Sequence, residues 1–300
     1  MKIILSKNKL IKILQKGKNI GFVPTMGGIH AGHISLINKS ISQCSKTVVS
    51  IFVNKSQFNK NDDFKRYPRS LGKDILKLRQ SKVDYLYLPK TNQIYPHGYN
   101  KGIVLNSLEK KLCGKFRPNH FRAVVDVIDR FIKIIKPKKI YLGKKDMQQL
   151  KIIEDFVKKN KIKSKIIECK TVREKNGIAC SSRNFLLSTK ESFIASQIYK
   201  IIVKQKKNVI KKKISLNELK NKIYLLGVNK IDYLEMHDVN KLIKPFLKKI
   251  KNKIIKIGAD KIDYLTILNT NNLTKPYKKI KKYKIFIAYY IKSIRLIDNI

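Results

Sequence analysis

Through the first 175 residues, short apolar runs alternate with stretches of helical period, and few architectures accept that pattern. The runs at 20–24, 47–53, 85–88, 139–142 and 164–169 read as strands. The intervening stretches near 33–43, 70–80, 121–135 and 147–160 carry apolar residues at helical spacing. Strands and helices alternating at this interval predict an α/β fold, a parallel sheet joined by crossover helices. Ligands of such sheets bind beyond the carboxyl ends of the strands.

The character changes after about residue 176. Lys/Ile-rich helical pattern fills 190–225, and short strand candidates follow. This divides the chain into an expected domain 1–175 and a smaller α+β domain 176–300. Within the latter, 219–245 resembles 250–276 at a spacing of 31 residues, sharing KNKI, a glycine, KIDYL and a late KP, which reads as a local duplication.

The first strand runs into GFVPTMGGIHAGHISLI, residues 21–37. Of 13 glycines and 5 histidines in the chain, three and two fall between Gly27 and His33. Glycine loses the most conformational freedom on folding, so the cluster implies a backbone that something must approach closely. At a strand-to-helix turn, His30 and His33 in His-x-Gly-His are placed for nucleotidyl transfer, where imidazoles stabilise charge as diphosphate departs. Gly27, Gly28 and Gly32 would let phosphates reach the helix amides. The other reading is a helix start with two polar residues near it. No third ligand cluster speaks for a metal.

Four further stretches follow strands. SIFVNKSQF (50–58) supplies Asn54 and Gln57, amides suited to a hydroxylated substrate. RPNHFRAVVDVI (117–128) supplies Arg117, His120 and Arg122. YLGKKDMQQL (141–150) supplies Gly143, Lys144, Lys145, Asp146 and Gln149; Lys145 suits a phosphate, Asp146 a Mg²⁺ or a ribose. VREKNGIACSSRNFLLS (172–188) supplies Ser181, Ser182 and Arg183, a fitting clamp for a triphosphate.

Net charge is +48, and 59 of the 68 basic residues are lysines spread along the chain. A nucleic-acid binder concentrates charge in a patch, so no specific nucleic-acid partner is expected; abundant Ile and Asn and absent Trp fit compositional drift. Arginine is informative because it is scarce: Arg66, Arg69, Arg117, Arg122, Arg173, Arg183 and Arg295 sit in polar, motif-like stretches, Arg79 and Arg130 in ordinary helical pattern. No run nears the roughly 18 apolar residues of a membrane span, and lysines interrupt every apolar run of the N-terminus, unlike a signal peptide. Cys44, Cys113, Cys169 and Cys180 lack CxxC spacing, which fits reduced cytoplasm.

Together, GFVPTMGGIHAGH, SIFVNKSQF, DDFKRYPRSLGKD, RPNHFRAVVDVIDRFIKIIKP, YLGKKDMQQL, IACSSRNFLLS and RLIDNI resemble the pantoate–β-alanine ligase family of HxGH nucleotidyltransferases, from residue 20 to residue 300. The resemblance implies a Rossmann-like catalytic domain, a C-terminal lid and a cytoplasmic homodimer. It implies condensation of (R)-pantoate with β-alanine through a pantoyl adenylate, using ATP and Mg²⁺ and releasing AMP and diphosphate. By motif, ATP contacts fall on Met26, Gly27, Gly28, Ile29, His30, Ala31, Gly32, His33, Gly143, Lys144, Lys145, Asp146, Val172, Cys180, Ser181, Ser182 and Arg183. His33 is then the proton donor, with His30, Lys145 and Arg183 also catalytic. Gln57 meets pantoate and β-alanine, and Gln149 meets pantoate. The chain departs from the family pattern at Ile29, Ala31, Lys55, Cys113, Asn119 and Ala123. Two other readings compete: a related enzyme with a different acceptor, and a basic nucleic-acid binder on an inactive nucleotide fold.

Overall fold

The computed structural model describes residues 1–15, 17–211, 239–275 and 283–300. Contacts divide the chain into two compact units, Met1–Leu187 and Ser188–Ile300. The change of composition near residue 176 therefore precedes the boundary between units. The segment between them belongs with the first unit, because Ser182 and Arg183 bond residues there.

In the first unit, β1 (Lys2–Ile4) and α1 (Lys7–Leu14) precede β2 (Ile20–Thr25), α2 (Ala31–Gln43) and β3 (Lys46–Ile51). Then come α3 (Asn61–Arg66), α4 (Leu71–Gln80), β4 (Tyr85–Tyr87), α5 (Thr91–Ile94) and α6 (Cys113–Phe116). Last are α7 (His120–Ile135), β5 (Lys139–Gly143), α8 (Met147–Lys159) and β6 (Lys165–Cys169). The sheet order is β1-β4-β3-β2-β5-β6, every pairing parallel. All five expected strands and all four expected helices are present. β1 and α1 were not foreseen, because lysines break the apolar runs there; Ser6 caps α1 by accepting the Lys9 N–H at 3.4 Å.

The central strands are nearly continuous apolar runs because helices cover both faces. α7 buries Phe131 against Phe22 at 5.4 Å, and against Phe52 and Tyr87 at 6.2 Å. Two of the departures from the family pattern find places at its start. Asn119 takes the left-handed φ of 60° that asparagine tolerates among L-residues, and the Ala123 carbonyl accepts from Asn54. Arg130, which the sequence placed in ordinary helical pattern, stacks on Tyr95, pairs with Asp126 at 2.6 Å and donates to Ile94 and Gly98 carbonyls.

From β2 the chain runs outward through β3 and β4, then returns to the other side of β2 for β5 and β6. That reversal between β2 and β5 is the switch point where open α/β sheets bind ligands.

The second unit contains α9 (Thr189–Lys211), α10 (Val239–Lys256) and the antiparallel sheet β7 (Lys261–Asn269), β8 (Tyr283–Ile291) and β9 (Ile294–Asn299). Its one arginine, Arg295, pairs at 2.7 Å with Asp263, whose side chain is 1% exposed. Residues 219–238 of the first copy of the expected duplication, and the helical pattern beyond Lys211, lie outside the described residues; the rest of that copy, 239–245, opens α10.

Candidate active site

β2 ends at Thr25, whose hydroxyl donates to the Ser50 carbonyl at 2.7 Å and accepts the Gly27 N–H at 3.2 Å. The chain then turns through positive φ at Gly27 (83°) and Gly28 (62°), a region glycine enters without strain. Asp74 of α4, 3% exposed, accepts the Gly28 N–H at 2.9 Å and the Ile29 N–H at 2.7 Å. A Cβ on Gly28 would stand 2.8 Å from that of Ser182, and one on Gly27 would stand 3.0 Å from an Asp74 oxygen. What approaches this backbone is thus Asp74 and Ser182. The amides that the sequence offers to phosphate are committed here to Asp74 and, at Gly32, to His30. Ile29 itself is buried in the core, and Ala31 is exposed at the first position of α2.

His30 caps α2: its Nδ1 accepts the Gly32 N–H at 3.1 Å, so the neutral ring carries its proton on Nε2. His33 stacks on it one turn later, centroids 4.0 Å apart and planes 28° apart. Burial first, and then the Lys145 ammonium, push the His30 pKa from 6.5 down to about 4. Burial, His30, Lys145 and Lys77 push His33 well below its usual range. The His33 Nδ1 is buried without a hydrogen-bond partner among the described residues. Both rings are neutral at pH 7.

A depressed histidine pKa sets the sign of a pH effect. Between pH 6.5 and about 4 the unfolded chain binds a proton that the folded His30 refuses. Stability is therefore full above pH 6.5 and falls as pH drops through that window, by at most about 3 kcal/mol for this residue. Urea unfolding at pH 7.5, 6 and 4.5 checks this against His30→Asn, which keeps an acceptor for the Gly32 amide. The wild type should lose stability more steeply, and equal slopes would refute the assignment.

β5 delivers the Lys144–Asp146 turn beside the histidines. The Lys145 ammonium is 3.8 Å from Asp146. The Lys144 side chain turns instead to Glu168 at 2.6 Å. Burial pushes the Glu168 carboxyl up, yet hydrogen bonds from Lys144 and Lys151 hold it at about 2. Gln148 is buried, bonding the Cys113 amide and the Leu108 and Lys111 carbonyls. Gln149 is half-buried in α8, and its side chain makes no hydrogen bond to the described residues.

Asn54, only 1% exposed, is fully engaged: it donates to the Ala123 carbonyl and Gln57, and accepts from Ser56 and Tyr95. Expected to orient substrate, it instead positions Gln57. The Gln57 side-chain amide donates to Met26 Sδ at 2.8 Å, and the Gln57 backbone carbonyl accepts from Arg117 and His120. Arg122 pairs bidentately with Glu109 at 3.0 Å.

The 172–188 segment docks on the glycine loop. The Cys180 N–H bonds the Val172 carbonyl at 3.0 Å, closing a hairpin. Ser181 caps the following turn by accepting the Arg183 N–H. The Ser182 hydroxyl lies 3.3 and 3.0 Å from the Gly27 and Gly28 carbonyls. Arg183, expected as a triphosphate clamp, forms a bidentate pair with Asp63 at 3.2 and 2.8 Å.

The sequence reading passed over Asp74, Lys77 and Asp63. Their signal was present in DDFKRYPRSLGKD and the helix that follows, where Asp74 and Lys77 share a face at i, i+3.

The profile of the family described as Pantoate-beta-alanine ligase matches residues 2–300. The chain belongs to that family. Among ligase relatives, the Pantothenate synthetase of Fervidobacterium nodosum is 38% identical over 255 residues, covering 83% of this chain and 91% of that one. That of Thermodesulfovibrio yellowstonii is 46% identical over 187 residues, covering 62% and 67%. Among solved ligase structures, the pantothenate synthetase of Thermus thermophilus superposes with a TM-score of 0.82 at 27% identity, covering 100% of this chain and 99% of that one. The pantoate-beta-alanine ligase of Francisella tularensis, complexed with beta-gamma ATP and beta-alanine, gives 0.75 at 34% identity, covering 100% and 97%.

Proposed function

We propose that this chain condenses (R)-pantoate with β-alanine at the expense of ATP, through a pantoyl adenylate. The observation that carries this reading is the pair of stacked neutral histidines, with Lys145 beside them, at the β2/β5 switch point of a ligase-family chain.

In the first step a pantoate carboxylate oxygen attacks the α-phosphorus, the bond to the bridging oxygen breaks, and diphosphate leaves. Charge grows on the phosphate oxygens, where the Lys145 ammonium and the imidazole N–H groups stabilise it. An arriving triphosphate also raises the histidine pKa values, so the protonated form of His33, the form that can donate, becomes more populated once the nucleotide is bound. In the second step the neutral β-alanine amine attacks the acyl carbon, AMP leaves, and the amine sheds its proton. The rate should therefore rise above neutral pH.

Met26 to His33, Gly143 to Asp146, Val172 and Cys180 to Arg183 are the nucleotide contacts in this reading, with Gln57 and Gln149 holding pantoate. Arg183 exchanges Asp63 for phosphate when ATP binds. Mg²⁺ would offset phosphate charge here, and such sites commonly take one or two carboxylates from the protein. Asp146 is the carboxylate at this strand end. Among the described residues no group of three or more His, Cys, Asp or Glu comes together, so Asp146 would be the residue of this chain that faces the metal. The same reading makes the unit Met1–Leu187 the catalytic part, the unit Ser188–Ile300 a lid that keeps water from the adenylate, and the protein a cytoplasmic homodimer. No helix among the described residues is long and apolar enough to cross a membrane.

Pantoate labelled with ¹⁸O in its carboxylate tests the intermediate. One label should appear in the phosphate of AMP. Label retained wholly in pantothenate would refute the adenylate.

A further inference from the structure

Helix α4 grips the histidine loop at two points. Asp74 accepts two of its amides, and Lys77, one turn later on the same face, donates to the Ile29 carbonyl at 2.6 Å. Lys77 is half-buried, and its ammonium lies over the Phe185 ring at 5.5 Å. The neighbouring carboxylate, Asp74, faces the amides, and Lys77 has no carboxylate partner among the described residues. An ammonium carries three donors, and the Ile29 carbonyl takes one. Arg183 presents the opposite case, neutralised by Asp63. Lys77 and Lys145 both bear electrostatically on His30 and His33, with Asp146, 3.8 Å from Lys145, the carboxylate that opposes them at His30. Such a concentration of positive charge is built for a polyanion.

We propose that Lys77 is a second polyphosphate-binding cation of this site, anchoring the Ile29 carbonyl and contacting the phosphates of the bound nucleotide opposite Lys145. This rests on the nucleotide reading above. It makes α4 part of the binding machinery, with Asp74 setting the loop and Lys77 meeting the ligand.

Calorimetric titration of ATP, inorganic tripolyphosphate and adenosine into wild type, Lys77→Gln, Lys77→Met and Lys77→Arg tests it. Glutamine keeps an N–H donor for Ile29, and thermal unfolding verifies that each variant is folded. Lys77→Gln and Lys77→Met should weaken ATP and tripolyphosphate by roughly ten- to hundredfold, the range for one charge-assisted hydrogen bond. Adenosine should bind unchanged, and Lys77→Arg should restore the phosphate ligands. Equal weakening of adenosine and ATP would reduce Lys77 to a loop anchor and overturn the inference. Unchanged ATP binding in folded neutral variants would overturn it too. A wild type that binds no ATP would instead sink the nucleotide reading itself, and this inference with it.

Discussion

Replacing His33 with alanine should lower kcat/KM by about 10² to 10⁴-fold, the range for removing a positioned proton-transfer group, while leaving stability nearly unchanged. The two halves of this expectation come from the same atoms. The ring stacks on His30 at 4.0 Å, and the Lys145 and Lys77 ammonium groups both bear on it. Its Nδ1 is buried with no partner among the described residues, an arrangement that costs about 1–3 kcal/mol. Truncation removes that cost along with the stacking gain of about 0.5–1.5 kcal/mol, and these effects oppose one another. A group held at the expense of stability is a group retained for chemistry. Steady-state kinetics with urea unfolding on the same preparation measures both. Retained activity, or a loss that matches a loss of folded protein, would remove His33 from the mechanism.

Asp74→Ala should do the reverse and damage the fold and the site together. The carboxylate is buried and accepts two loop amides at 2.9 and 2.7 Å. Each of the two amides left without a partner costs about 1–3 kcal/mol, so the first unit should lose about 2–6 kcal/mol. The loop carrying His30 and His33 would lose its anchor, and turnover should fall beyond what the lost stability explains. Asp74→Asn should rescue little, since its amide group turns a donor toward one of the two donors. Lys73→Ala, one residue away and exposed, is the control and should resemble the wild type. Wild-type unfolding and turnover in Asp74→Ala would show that the loop stands without it.

The alternation of strand and helix was legible because parallel strands covered on both faces must be apolar throughout, and the spacing of such runs leaves little choice of architecture. β1 and α1 were hidden by lysines that point outward without interrupting the fold. The glycine–histidine loop was equally legible, but the reason for its glycines was not. Their neighbours in space are Asp74 and Ser182, 46 and 154 residues from Gly28 along the chain, and no local pattern announces such a contact. The same limit applies to Asn54, whose position beyond a strand end suggested a ligand group although its partners are Gln57, Ala123, Ser56 and Tyr95. Scarce arginine was a fair guide to specific pairing at Arg183 and Arg295, and a poor one at Arg130, where helical periodicity concealed a bonded and stacked side chain.

The most direct measurement is AMP release by the purified chain supplied with ATP and Mg²⁺, with pantoate and β-alanine each present or omitted. AMP and pantothenate should form together only when both are supplied. Folded protein that binds ATP yet forms no pantothenate from the complete mixture would contradict the assignment and turn the search to another acceptor.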